Sequence, residues 1–120
     1  MTKLSAIKEQ YEKAVKRLEE VLDQEKNDFM RDSAIQRFEF TFDISWKLLK
    51  ELLREDHGIE CKSPKSCIRE SYKQGIIDYE DFWLEMVKMR NETSHLYNEE
   101  MADDVYKELP KAIKVFQSLM

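Results

Sequence analysis

Apolar residues recur along this chain at steps of three and four, and the breaks in that pattern fall on residues that cap or end helices. Leu4, Ile7, Tyr11, Ala14, Val15, Leu18, Val21 and Leu22 predict a first amphipathic helix from about Thr2 to Gln24. Lys8, Glu12, Lys16, Glu19 and Glu20 lie on its other face and read as solubilising charge. A second helix, capped by Asp28 or Asp32, is expected to run to about Asp56 and stop before Gly58. It carries two apolar stripes, Ile35, Phe38, Phe42, Trp46, Leu49 and Leu53 on one side and Phe40, Ile44 and Leu48 on another. A helix that is apolar on two sides is either central in its domain or shared between two subunits.

Between those stripes runs a narrow polar strip of Glu39, Asp43, Lys47, Lys50 and Arg54. Local ion pairs such as Asp43 with Lys47 would account for it. The alternative makes Arg37, Glu39 and Asp43 anchors for a partner protein or a nucleotide. Phe38, Phe42 and Trp46 are accounted for as core by their spacing alone.

After a connector, Ser63-Pro64 has the form of a helix start, and a short helix to about Gln74 should turn Ile68 and Tyr72 inward before Gly75 ends it. A fourth helix is expected to begin near Asp78, with Phe82, Trp83, Met86 and Val87 as its buried face. Continued to 90, 94 and 97, that count reaches Arg90, Ser94 and Tyr97 where hydrocarbon is due. A guanidinium on such a stripe is costly unless it is paired or looks into a groove, which marks a candidate site. Asn98 caps the last helix, which should carry Met101, Val105, Leu109, Ile113, Phe116 and Met120 inward and kink near Tyr106 ahead of Pro110.

The pattern therefore predicts an all-α domain over residues 1–120: an antiparallel, up-and-down four-helix bundle with one short extra helix. Composition agrees. Only two Gly and two Pro among 120 residues, with 38% charged, favour long helices over a turn-rich sheet. No run approaches a membrane span and no secretory core precedes the first helix, so a cytoplasmic protein is expected. A net charge of −5 argues against indiscriminate nucleic-acid binding over a basic surface. In such a compartment Cys61 and Cys67 are expected to be free thiols, and a zinc site from His57, Cys61, Cys67 and His95 matches no common ligand spacing. His57 at the end of the second helix reads as a charge-dipole contact.

No phosphate loop, nucleophile elbow or metal cluster is present, and no cofactor is expected. What remains is Arg90, Asn91, Ser94, His95 and Tyr97. An imidazole can exchange a proton at neutral pH, and an Arg fork can hold a phosphate as its charge grows, which suffices in principle for metal-free RNA cleavage. On a regular helix Arg90, Ser94 and Tyr97 fall within about 60° of each other, while His95 is rotated toward Asn91. One helix alone does not aim Arg90 and His95 at one point, so either the helix tightens near its end or a second copy completes the site; the dimer is preferred.

Arg90 to Tyr97 reads R-x-x-x-x-H-x-Y, which resembles the signature of HEPN domains, and of the HepT-type proteins that accompany a minimal nucleotidyltransferase. The block from Ile35 to Lys47, with Ser63-Pro64-Lys65 and Asn98-Glu99-Glu100, resembles the branch called nucleotidyltransferase substrate-binding proteins. The likeness extends over most of the chain from about Arg31. It implies a homodimer through the second and fourth helices, with Arg90 and His95 as a catalytic pair in the interface groove and Asn91 and Ser94 in support. It also implies a nucleotidyltransferase partner that silences the ribonuclease by adenylylating Tyr97, in a toxin-antitoxin pair. Two alternatives stay open: a non-catalytic subunit that binds a nucleotide or substrate for that enzyme, and a plain dimeric scaffold.

Overall fold

Thr2 and Ser5 each accept a hydrogen bond from the other's backbone N–H, and from this capping box α1 runs over Lys3–Leu22. The computed structural model describes residues 2–78, 80–95 and 98–120, except for the side chains of Ser94 and His95. The remaining helices are α2 (Asp28–His57), α3 (Pro64–Lys73), α4 (Asp81–His95) and α5 (Glu99–Ser118), and no strand occurs among the described residues. The expected all-helical architecture is observed, with four longer helices and the short α3.

The caps are chemical and local. Asn27, rather than Asp28 or Asp32, opens α2, its Oδ1 accepting the Met30 N–H at 2.9 Å. Gly58 closes α2 in the left-handed region at φ 64°, a conformation that costs a side chain but not glycine. Ser63 and Ser66 form a second capping box around Pro64, and Asn98 accepts the Met101 N–H at 2.7 Å to start α5. The fourth helix begins at Asp81, three residues later than the pattern suggested. Pro110 lies within α5, which continues through it.

α2 packs against every other helix, as its double stripe required. It runs antiparallel to α1: Lys3 meets Glu51, the Thr41 hydroxyl reaches the Ala14 carbonyl, and Arg37 donates to the Arg17 carbonyl at 2.7 Å. In the core, the Phe116 ring from α5 meets Tyr11, Phe38 and Trp83, with centroids at 6.3, 6.1 and 5.9 Å. The Tyr11 hydroxyl donates to the Phe116 carbonyl at 2.6 Å, and burial pushes its pKa above the ordinary phenol value. Removing the Phe116 ring would cost about 3–5 kcal/mol in lost contacts and cavity.

The first stripe of α2 is buried, Trp46 partly so. Of the second, Leu48 is buried, Ile44 half-buried, and Phe40 stands 58% exposed. Tyr72 is exposed rather than inward, because the buried side of α3 is centred on Cys67, Ile68 and Ser71, one step around the helix. Met120 is exposed as well, beyond the end of α5.

Cys61 and Cys67 are not free thiols. They form a disulfide, buried against Leu53, with a Cα–Cα separation of 5.2 Å. The turn into α3 at Ser63-Pro64 folds the connector back onto the helix's first turn, a proximity that six residues of sequence separation do not reveal.

Arg31 holds the starts of α2 and α5 together. It is 2% exposed and donates from Nη1 to Glu99 at 2.9 Å and Asp103 at 3.2 Å, and from Nε to Asp32 at 3.1 Å. Lys26 adds a contact to Asp103 at 3.3 Å. The start of α5, which follows the Arg90–Tyr97 segment, is thereby tied to the start of α2.

Candidate functional site

Phe82, Trp83, Met86 and Val87 bury one face of α4, and Met89 extends it. Arg90 follows at the edge of that face and turns toward α2. There its Nε donates to Asp43 Oδ1 at 3.1 Å and its Nη2 to Asp43 Oδ2 at 3.2 Å, a bidentate fork. Its Nη1 lies 3.3 Å from Glu39 Oε2. The Asp43 hydrogen bond, helped by the charges of Asp43 and Glu39 and opposed by partial burial, raises the pKa of a group already cationic at any physiological pH. The Asp43–Lys47 pair expected from the sequence does not form. A bidentate contact to an oriented guanidinium outcompetes an exposed i,i+4 pair worth about 0.3–0.5 kcal/mol.

Arg90 is paired but not sealed. Its side chain stays 25% exposed, and a guanidinium has about five N–H donors, of which Asp43 takes two. The fork is therefore pre-oriented, with donors left to reach a ligand from solvent. The cation is outnumbered by two carboxylates, however, so the bare site repels a phosphate unless positive charge arrives from elsewhere.

Asn91 is exposed on the next face, lining a cleft of about 720 Å³ between α3, α4 and α5. Lys65, Arg69 and Lys88 share that cleft with Asp81, Glu85 and Glu92, so its charges balance. Arg90 turns toward α2 while Asn91 lines this cleft, so the two point different ways, as their angular separation on one helix implied. Ser94 and His95 belong to the last turn of α4, but their side chains, and the whole of Tyr97, lie outside the described residues. Among the described residues no cluster of His, Cys, Asp and Glu could hold a metal ion, and no helix is long and apolar enough to cross a membrane.

The sequence pattern singled out Arg90 but did not pair it with Asp43 and Glu39, which sit one turn apart on the polar strip of α2. It also passed over Arg31. The same count that exposes Arg90 exposes Arg31, since stepping back from Phe42 through Phe38 and Ile35 arrives there.

Residues 8–120 match the family described as nucleotidyltransferase substrate binding protein like. A probable ribonuclease HepT of Haemophilus influenzae is 36% identical over 80 residues, 63% of this chain and 55% of that protein. The chain thus spans little more than half the length of that relative. A crystal structure of a Thermus thermophilus protein superposes with a TM-score of 0.85 at 38% identity, covering 91% of this chain and 94% of the other. A second structure, from H. influenzae, is described as revealing the fold of a substrate-binding domain of a nucleotidyltransferase. It superposes with a TM-score of 0.71 at 29% identity over 97% of this chain and 93% of its own.

Proposed function

Because this chain belongs to the nucleotidyltransferase substrate-binding protein family, with a HepT-type ribonuclease among its relatives, we propose that it works beside a minimal nucleotidyltransferase in a two-gene, toxin-antitoxin-like module. Its own activity in this reading is metal-independent RNA cleavage at a groove between two copies. Arg90 binds the scissile phosphate and stabilises its developing charge. His95 exchanges the protons as the 2′-hydroxyl attacks the adjacent phosphorus, the P–O5′ bond breaks, and a 2′,3′-cyclic phosphate and a 5′-hydroxyl result. Asn91 and Ser94 support the pair. Adenylylation by the partner, in which the Tyr97 phenol takes the α-phosphoryl of ATP and pyrophosphate leaves, silences the site by filling the groove.

The observation that carries this reading is the Asp43 fork, which holds Arg90 in one orientation at the protein surface, five residues before His95. The reading takes the homodimer through α2 and α4; Phe40 and Ile44 leave apolar surface open on α2 for a second copy, on its α1 side and one step around the helix from Glu39 and Asp43.

The test is cleavage of RNA by the isolated protein with chelator present, comparing wild type with Arg90→Ala and His95→Ala. Cleavage by the wild type that both substitutions abolish supports the ribonuclease. Absence of cleavage, or cleavage that survives both, favours a second reading, a non-catalytic subunit that presents a nucleotide or other substrate to the transferase. That reading draws on the two carboxylates around Arg90 and on the net charge of −5. Incubation with the partner and ATP, followed by mass spectrometry of the peptide containing Tyr97, tests the silencing step.

A further inference from the structure

The positive charge missing around Arg90 is gathered further along α2, in its second half. The start of α1, the second half of α2 and the connector from 58 to 63 enclose a cleft of about 520 Å³, within the range of small-ligand sites. Five cations line it, Lys3, Lys47, Lys50, Arg54 and Lys62, supplied by three separate segments. Lys3 and Arg54 are engaged by Glu51, at 3.6 Å from the lysine, and Arg54 also donates to Glu55 at 2.8 Å. Lys47, Lys50 and Lys62 make no side-chain ion pair with any described residue, and Glu60 is the one further carboxylate of the lining.

We propose that this cleft binds the polyphosphate chain of a nucleoside triphosphate. Like charges gathered at one place raise each other's energy, and a polyanion set between them recovers it. Lysine serves phosphate as a movable point charge, so three unpaired ammonium groups suit a chain of phosphoryl groups better than a single planar carboxylate, which an Arg fork would match. The wall that carries Lys62 is held in place before binding, since Cys61 beside it is bonded to Cys67. Trp46 of α2, half-buried and packed against the disulfide, supplies apolar surface in the same cleft for a base. The site uses no residue of the Arg90 groove and stands or falls independently of RNA cleavage.

The experiment titrates the full chain, in EDTA, with sodium tripolyphosphate and with ATP, by calorimetry and tryptophan fluorescence. Trp83 is buried at 1% exposure, so a ligand-dependent emission change reports Trp46. Saturable binding of one ligand per chain is expected, weakened at least about tenfold by Lys47→Glu with Lys50→Glu. Lys62→Glu, in the exposed connector, should weaken it in the same direction and serves if the double variant fails to fold. Lys13→Glu with Lys16→Glu, in the neighbouring α1–α2 groove, should leave affinity unchanged. The proposal is overturned by absence of saturable binding, or by equal affinity in the Lys47/Lys50 and Lys62 variants. Tighter binding of a 5′-hydroxyl oligoribonucleotide than of tripolyphosphate, or loss of affinity in the Lys13/Lys16 variant, also overturns it, because either result describes a strand lying along α1 and α2.

Discussion

Arg31 and Arg90 occupy equivalent places in the hydrophobic rhythm of α2 and α4, each a cation where the count calls for hydrocarbon, yet the protein surrounds them differently. Arg31 is closed over, 2% exposed, with Asp32, Glu99 and Asp103 on its donors and Asp28 at 3.6 Å. Arg90 has one carboxylate in a fork, a second at the side, and a quarter of its side chain in water. A misplaced cation in a sequence therefore marks a polar contact. What separates a staple from a reactive group is whether the surrounding chain leaves donors open to solvent.

The sharpest way to break that comparison is to remove each guanidinium and measure stability. Arg31→Ala should lower the unfolding free energy by about 3 kcal/mol, since it leaves a cavity and several carboxylates without their shared partner. Glu99 and Asp103 remain hydratable, at 71% and 42% side-chain exposure, so Arg31→Met, which fills the volume, should recover part of the loss. Arg90→Ala should cost no more than about 1 kcal/mol, the scale of a partly exposed ion pair. Urea midpoints decide it, and a larger loss at Arg90 than at Arg31 would reverse the assignment.

Activity gives the next largest effect, with the order inverted. Under the ribonuclease reading, Arg90→Ala should reduce cleavage about 100-fold, the scale for losing one stabiliser of transition-state charge. Arg90→Lys should restore little, because an ammonium cannot keep the Asp43 fork. Arg31→Met, assayed well below its melting temperature, should retain cleavage within about threefold of wild type. Asp43→Asn sharpens the point further. Removing one negative charge should tighten RNA binding while loosening the guanidinium, so turnover falls about tenfold as apparent affinity rises. A fall in both would mean that Asp43 orients Arg90 without opposing the phosphate.

Much of this architecture is local and could be read directly. The capping residues Ser63 and Asn98, the stop at Gly58 and most of the buried faces of the four longer helices follow from side chains within a turn of where they act. What escaped is non-local. Asp43 has a lysine four residues away and an arginine forty-seven away, and only the packing of α4 on α2 shows that it takes the second. The Cys61–Cys67 bond depends on the direction in which the connector re-enters α3. Arg31 was legible in principle, but only Asp28 and Asp32 lie near it in sequence, and Glu99 and Asp103, which complete the cage, come from beyond the whole of α4. Arg90 was legible because the apolar count of its own helix, through Phe82, Trp83, Met86 and Val87, led directly onto it.

The smallest expected effect is a pH dependence that separates the staple from the rest of the fold. The Arg31 hydrogen bond, followed by that of Lys26, holds the Asp103 carboxyl below its ordinary value. A carboxylate with a depressed folded pKa contributes stability that is complete above the unfolded value, near pH 4, and is lost as the pH falls through the folded one. Glu51, held low chiefly by its hydrogen bond from Arg54, adds a second contribution of the same sign at the far end of α2. Stability measured by urea midpoints should therefore decline below about pH 4 in the wild type. Arg31→Met should flatten that decline without abolishing it, because Glu51 still titrates, and Arg54→Met should remove the complementary part. If neither variant changes the acid limb, the carboxylates around Arg31 are screened as fully as an exposed pair. Its role would then be to fill space at the joint of α2 and α5, and the contrast with Arg90 would be one of burial alone.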